Sequence, residues 1–452
     1  MSRPHERRET GKQELFRSRL DQIIDPKHEL VLLAKVINWP FLEQRFGEVY
    51  SDKAGKPPLP TRLMAGLAVI KHTYNLSDEA LCTRYLDSPY VQYFCGEEFF
   101  QHSLPFDRSS MTRWRQRMGE ERIGALLQES LSVAIETGAM KPSDTREVIV
   151  DTTVQPKNVM FPTDAKLLHR ALIRLLALTR KAGLKLRQTY IRVAKFALID
   201  QQRYAHAKQF KRAGKAMRKL KTFLGRVIRD IGRQIAGNDE LSQMFSIALH
   251  QARTVLSQQQ RQRGDKIYSL HAPEVECIGK GKAHKPYEFG VKVSVATTLK
   301  RSKGGQFALH AMALPGKPYD GHTLATIIPD IEETVGNELS LILADKGYRG
   351  HNAPDSHKFR VFITGQRRRA TPAIKRQMKR RSAIEPVIGH CKNEHRMDRN
   401  YLGGQQGDAI NAILAAVGYN FSLLLNWLRL FLCLVTAALI ALTPNERQPQ
   451  HS

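Results

Sequence analysis

Three carboxylates stand where the neighbouring sequence would hold them rigid. Asp151 closes the apolar run Glu147-Val148-Ile149-Val150, and Asp345 closes Leu339-Ser340-Leu341-Ile342-Leu343-Ala344. Such runs read as buried strands, so each aspartate is expected at a strand's C-terminal end, where open α/β sheets place their sites. Glu385 lies in Ile384-Glu385-Pro386-Val387-Ile388-Gly389-His390-Cys391-Lys392. There Ile384, Val387, Ile388 and Cys391 have the i, i+3, i+4, i+7 spacing of a buried helical face, with Glu385, Gly389, Lys392 and Arg396 on the adjacent stripe. Oxygen donors of this kind suit Mg²⁺, a hard ion that binds through few carboxylates plus substrate phosphate. Two such ions about 3.5–4 Å apart serve phosphodiester chemistry, one at the attacking oxygen and one at the leaving oxygen. Taken singly, each residue has a plainer reading, because an Asp at a strand end is usually a turn former or helix cap and a Glu near Arg an ion pair.

The elements that must position these side chains follow an α/β order. Tyr287-Glu288-Phe289-Gly290-Val291-Lys292-Val293-Ser294-Val295 alternates with period two, and Gly304-Gly305 turns the chain into residues 307–314, which predicts a hairpin. Residues 359–364 read as another short strand, and the basic sequence beyond them, to about Arg399, as helical. Ahead of the first strand, residues 76–135 carry helical periodicity broken at Asp87-Ser88-Pro89, Gly96 and Leu104-Pro105, with Ser77, Asp107 and Ser109 as N-cap signals. Between the first strand and the hairpin, residues 163–237 are helical and hold 20 Lys or Arg against Asp164, Asp200 and Asp230. Strand, helical insertion, hairpin, helix, strand, short strand and helix make an α/β fold with a mixed sheet.

With 452 residues the chain has room for two or three domains. Its 71 Lys and Arg against 43 Asp and Glu leave a net charge of +28, which implies a polyanionic partner, nucleic acid first. A packing protein would be as basic, so charge does not separate an enzyme from a binder. Residues 107–117 have the makings of a recognition helix, with Arg113 and Arg117 one turn apart beside Trp114; a solvated basic helix in a bundle fits the same pattern. The basic insertion is read as a DNA-contacting face in preference to a solvated hairpin. Arg367, Arg368, Arg369, Lys375, Arg376, Lys379, Arg380 and Arg381 run toward Glu385 with no acidic residue among them, a track for a phosphate backbone. Cys82, Cys95, Cys277, Cys391 and Cys433 are scattered and form no C-x-x-C pair, which points to the reducing cytoplasm and away from a zinc ribbon. His390 and His395 lack soft partners for zinc. The first thirty residues hold no apolar signal run. The apolar stretch 423–442 is interrupted by Asn426 and Arg429, which leaves 430–442, short for a bilayer; a buried C-terminal helix and no membrane partner are expected.

Several segments together resemble the DDE transposases of bacterial insertion sequences, specifically the IS-five group. They are Asp151-Thr152-Thr153-Val154-Gln155-Pro156-Lys157-Asn158, Gly281-Lys282-Ala283-His284-Lys285-Pro286-Tyr287-Glu288-Phe289-Gly290, Pro318-Tyr319-Asp320-Gly321-His322-Thr323, Ala344-Asp345-Lys346-Gly347-Tyr348 and the Glu385 helix. Related transposases carry Tyr, two residues, Arg, three residues, Glu, six residues, Lys. Arg381, Glu385 and Lys392 match those spacings, and Met378 stands in the tyrosine's place. The resemblance implies a ribonuclease-H-like mixed-sheet catalytic domain with a large basic helical insertion, behind a helical N-terminal domain. The expected division is 1–142, 143–405 with the insertion at about 163–260, and 406–452. It further implies that Asp151, Asp345 and Glu385 are catalytic and hold Mg²⁺, for which Mn²⁺ can substitute. Arg113, Arg117, Arg381, Lys392, Lys346 and Tyr348 are then expected to contact double-stranded DNA, and Asp320 and His322 to support the ligands or form a capped turn. The partners would be the element's inverted repeats and target DNA, with a homodimer joining two ends in the cytoplasm. Pro386 disfavours helical geometry at Glu385, so the helix is expected to begin there, with Pro386 at its first position and Glu385 near its N-cap. Rival readings are a nuclease or resolvase that cuts without joining, and a DNA-binding protein without activity.

Overall fold

In the computed structural model, which describes residues 17–50, 58–259, 262, 264, 266–279, 286–366 and 368–442 (backbone alone for 431–442), the apolar run at Glu147 does form a strand. It is longer than expected: β1 spans Glu147–Pro156. The others are β2 (Glu276–Gly279), β3 (Tyr287–Thr298), β4 (Ala308–Leu314), β5 (Leu341–Ala344) and β6 (Val361–Ile363). Their order is β2-β3-β1-β5-β6, with β4 also paired to β3. The β1–β5 and β5–β6 pairs are parallel, and β2–β3 and β3–β4 antiparallel, so the sheet is mixed. All four residues of β5 are buried, as a parallel strand covered on both faces requires. The chain reaches β5 from β4 through the helix Leu324–Val335, which ends on Gly336 in the left-handed region (φ 71°). Residues 281–285, Arg367 and the Cys433 side chain lie outside the described residues.

Two compact units form, and neither boundary falls where composition put it. The first is made from residues 1–156 and 291–452, the second from 157–290. In the first, the helices before β1, the sheet and the C-terminal helix share one core: Leu67, Leu126, Val150, Ile342 and Leu414 belong to the same apolar cluster. The three-part division at 142 and 405 is therefore not a division into separate compact bodies. The change of character at Lys141-Pro142-Ser143 marks a switch from helix to strand within one core.

The Arg108–Glu136 helix is bent at Gly119, whose φ of 69° leaves the helical region. Asp107 caps it and Ser77 caps Asp78–Asp87, as read from sequence, whereas Ser109 lies inside the helix and hydrogen-bonds to Asp107. Trp114 does not face outward: it is 5% exposed and sits edge-on to Phe46 (5.6 Å, 87°), which anchors the helix to the core and leaves Arg113 and Arg117 on the exposed side.

The C-terminal helix, Gly404–Leu442, is apolar and long enough to cross a membrane by composition, but its described part, to Leu430, is mostly buried in the first unit. Asn420 is fully buried there. Its amide donates to the Ala308 carbonyl (2.8 Å) and Ser130 Oγ (3.0 Å) while its Oδ1 accepts from the Ala308 N–H (2.9 Å). The helix thus completes the backbone pairing of β4 at Ala308. Gln155 of β1 similarly donates to the Asp408 carbonyl and accepts from Asn411.

The second unit contains the helices Asp164–Lys181, Ile191–His206, Phe210–Ile235 and Asp239–Ser257 around a core that includes Leu168, Leu172, Leu175, Leu224, Val227, Ile231 and Phe245. Phe210–Ile235 buries Leu220, Leu224, Val227 and Ile231 on one face. Its Lys211, Arg212, Lys215, Arg218, Lys219, Arg226 and Arg229 are exposed. The mutual repulsion of these cations is relieved by solvent, and apolar burial on the other face holds the helix.

Candidate active site

Strand register brings two of the carboxylates side by side. Ile149 of β1 faces Leu343 of β5 in a parallel pair, so Asp151 and Asp345, each two residues further on, occupy corresponding places beyond the last paired residues. Neighbouring strands lie about 4.8 Å apart, which fixes the separation of the two backbones. Asp345 follows the last residue of β5 as expected; its Oδ1 accepts the Gly347 N–H at 2.7 Å and caps the turn Lys346–Tyr348. Asp151 is not at a strand end, because β1 runs on to Pro156; what ends beside it is the pairing with β5. Its Oδ1 accepts the Thr152 N–H at 2.8 Å and its Oδ2 the Arg381 guanidinium at 3.2 Å. Burial, together with the negative charges of Asp345 and Asp320, pushes the Asp151 carboxyl up to about 6, against the pull of Thr152 and Arg381.

Asp320 joins this group. Its Oδ1 accepts from Thr152 Oγ1 (2.9 Å) and Lys292 Nζ (3.0 Å). A Cβ placed on Gly347 would stand 2.9 Å from both Asp320 Oδ2 and Asp345 Oδ1, so the absence of a side chain there lets the two carboxylates approach the same backbone. His322, two residues along, is exposed and packs against Tyr319 (5.3 Å) instead of reaching the carboxylates. Tyr348 requires a correction: it is fully buried, so it is unavailable to DNA, and burial with Asp151, Asp320 and Asp345 around it drives its hydroxyl well above the usual tyrosine range. It forms the floor of the acidic cluster. Lys292 was missed by sequence reading; its one signal is a lysine interrupting the apolar residues Val291 and Val293.

Glu385 reaches the cluster through an intermediary. It lies in the first turn of the helix Ile384–Glu394, and its Oε1 accepts from Arg381 Nη2 at 3.0 Å while Arg381 Nη1 holds Asp151. The helix starts one residue before Glu385, so Pro386 is third and not first, still among the positions whose N–H has no helical partner. Glu385 remains 61% exposed at its side chain and Arg381 only 19%. Lys392 follows two turns along the same helix, and Lys346 is exposed beside Asp345. Arg368, Arg369, Lys375, Arg376, Lys379 and Arg380 are all exposed on the segment leading to Arg381.

Among the described residues, no three His, Cys, Asp or Glu side chains ring a single point as a closed metal site would. The donor chemistry nevertheless fits a divalent ion. The atoms are hard carboxylate oxygens, two on corresponding strand positions, and a cationic group, the Arg381 guanidinium, already bridges Asp151 and Glu385. Asp151, Asp345 and Glu385 would hold such an ion with Arg381 withdrawn.

Comparison with known proteins places parts of the chain in described families. Residues 18–117 match the family model described as a transposase domain (DUF772), and residues 254–421 the model described as a transposase DDE domain. The second match contains Asp320, Asp345 and Glu385; Asp151 lies between the two. The chain is 48% identical over 201 residues to the uncharacterized protein ORF8 in the nfe locus of Rhizobium meliloti, covering 97% of that protein and 44% of this one. No solved structure matches it.

Proposed function

We propose that the chain is a DDE transposase, an enzyme that cleaves and transfers DNA, as its matches to two transposase family models support, and that it acts on the ends of an insertion sequence of the IS-five group. In this reading it frees a 3′-OH at each end and joins it to target DNA. The observation that carries the proposal is the side-by-side placement of Asp151 and Asp345 on adjacent parallel strands, with Arg381 linking Asp151 to Glu385.

Asp151, Asp345 and Glu385 would hold two Mg²⁺, or Mn²⁺ in their place; such ions, when bound, activate an attacking water or 3′-OH and stabilise the leaving oxygen. The rest falls to the chain itself. Gly347 and Thr152 fix the carboxylate oxygens through their N–H groups, which sets the spacing that in-line displacement needs. Lys292 neutralises Asp320 and so limits the negative charge next to an incoming phosphate. Arg381, released from Asp151 and Glu385, is free to pair with a phosphate oxygen, and Lys392, Lys346 and the exposed 368–380 cations continue that contact along the strand. Arg113 and Arg117 on the outer side of their helix, and the exposed basic face of the second unit, supply sequence-independent grip. The mixed sheet, with Asp151 and Asp345 at corresponding places on adjacent parallel strands, supports a ribonuclease-H-like architecture. Joining two DNA ends calls for a homodimer in the working complex, and a cytoplasmic location suits a DNA substrate.

The test is Asp345→Asn and Asp151→Asn in a plasmid assay with Mg²⁺. Cleavage and joining should fall by at least about 10³-fold while affinity for the element's ends stays within about threefold. If joining persists at wild-type levels, the carboxylate assignment is wrong; if cleavage occurs in the wild type without joining, the protein is a nuclease.

A further inference from the structure

In the second unit, the turn between the helices Ile191–His206 and Phe210–Ile235 sets an exposed aromatic ring in a strongly cationic surface. Residues 191–229 hold twelve Lys or Arg against one acid, Asp200. The turn is tightly bonded. Lys208 takes the left-handed conformation (φ 57°), its N–H donates to the Ala205 carbonyl (3.1 Å), and the Gln209 N–H donates to the Tyr204 carbonyl (2.8 Å), the paired bonds of a Schellman ending. The next helix starts at once on Phe210, and the Ala213 N–H reaches back to the Gln209 carbonyl (3.0 Å). Phe210 is 71% exposed, and its sequence neighbours Lys208, Lys211, Arg212 and Lys215 are exposed as well. The guanidinium groups of Arg203 and Arg212 lie 5.1 and 5.8 Å from the Tyr204 ring, and Arg212 Nη1 donates to Gln209 Oε1 at 3.1 Å. A ring and an amide are neutral partners, so they position these cations without cancelling their charge. Arg203 also pairs with Asp200, at 3.5 Å. A large apolar side chain that the fold leaves in water, on a fixed turn and bracketed by cations, matches a partner with apolar faces set between anionic groups. Duplex DNA presents stacked bases between phosphates. A second copy would bring the same cations against these, so like charge opposes self-association at this turn.

We propose that Phe210 is a wedge: its ring enters a base step of duplex DNA and bends the duplex, while Lys208, Lys211, Arg212 and Lys215 hold the phosphates on either side. This rests on the reading that the basic face of the second unit meets DNA, and adds to it a contact with the bases. Pyrimidine–purine steps unstack most readily, so the wedge favours such steps without a hydrogen bond to any base edge.

The experiment uses the full chain and a duplex of about 25 base pairs with a central TA step and a fluorophore at each end, so that energy transfer reports the bend. The wild type should raise the transfer on binding. Phe210→Ala should bind with the same slope of log affinity against log salt, because the phosphate contacts remain, yet leave the transfer at the level of the free duplex. Phe210→Leu, which keeps an apolar wedge, should restore the bend, and Lys211→Ala should make the slope shallower by about one while the bend persists. Since the ring is exposed, Phe210→Ala should melt with the wild type, which separates loss of the wedge from loss of the fold. A bend unchanged in Phe210→Ala, or none in the wild type, overturns the proposal. So does a shift from dimer to monomer in sedimentation of Phe210→Ala with the bend intact, which would mean that the ring covers a second copy. All measurements are made in EDTA, without catalysis, so failure here leaves the carboxylate proposal standing, and the converse.

Discussion

Arg381 is the residue on which the carboxylate site turns. Its guanidinium contacts Asp151 at 3.2 Å and Glu385 at 3.0 Å with only 19% of its side chain exposed, so a divalent ion entering between those carboxylates competes with a fixed internal cation. Arg381→Ala should therefore tighten Mn²⁺ binding in the absence of DNA by about tenfold, or about 1.4 kcal/mol, as read by titration followed through the ion's paramagnetic signal. Weaker binding in the variant would mean that the guanidinium organises the carboxylates instead of occupying their place. The two aspartates were legible in the sequence because each ends an unbroken apolar run, a local pattern. Tyr348 was misread and Lys292 overlooked for the opposite reason: whether a tyrosine beside an aspartate faces DNA or the core depends on strands more than a hundred residues away, which no local pattern encodes.

At the scale of elements, the Arg108–Glu136 helix shows how a basic surface and a buried staple coexist. Its Glu129 is 3% exposed, and its Oε1 accepts the Asn38 N–H at 2.7 Å, where Asn38 caps the Trp39–Gly47 helix. Burial pushes this carboxyl up to about 7 from the ordinary 4.5. A raised acid holds its proton in the folded chain after the unfolded chain has released it, so stability falls as pH climbs from about 4.5 to about 7 and then levels off. Glu129→Gln keeps the acceptor and removes the titration. Thermal unfolding across that window should show the wild type losing about 1–2 kcal/mol relative to the variant, and parallel curves would refute the assignment. Element identity was largely readable here: Ser77 and Asp107 cap helices as their side-chain chemistry predicts, and the hairpin turns at Gly304-Gly305 between β3 and β4. Which face of the helix met solvent was not readable, because Trp114 flanked by arginines looks the same in sequence whether it meets a groove or Phe46.

For the whole molecule, the C-terminal helix joins parts that are remote in sequence. Asn420→Ala would strip the Ala308 N–H and carbonyl and Ser130 Oγ of their partner inside a dry core, a cost of about 2–4 kcal/mol. Denaturant unfolding should report that loss without a change in the second unit's helical signal; a shift under about 0.5 kcal/mol would show that β4 does not depend on the helix. Domain limits were the least legible feature, since a composition shift marks a change of local structure and a shared core leaves no local mark. The position of residues 157–290 after β1 and up to the first residues of β3 also sets a timetable for synthesis. The second unit is complete in the nascent chain while β1 still waits for β5, and the first unit closes only when the helix beginning at Gly404 has left the ribosome. A message cut short between the end of the second unit and that helix therefore yields the basic bundle attached to an unfinished core, and leaves the carboxylates without the framework that positions them.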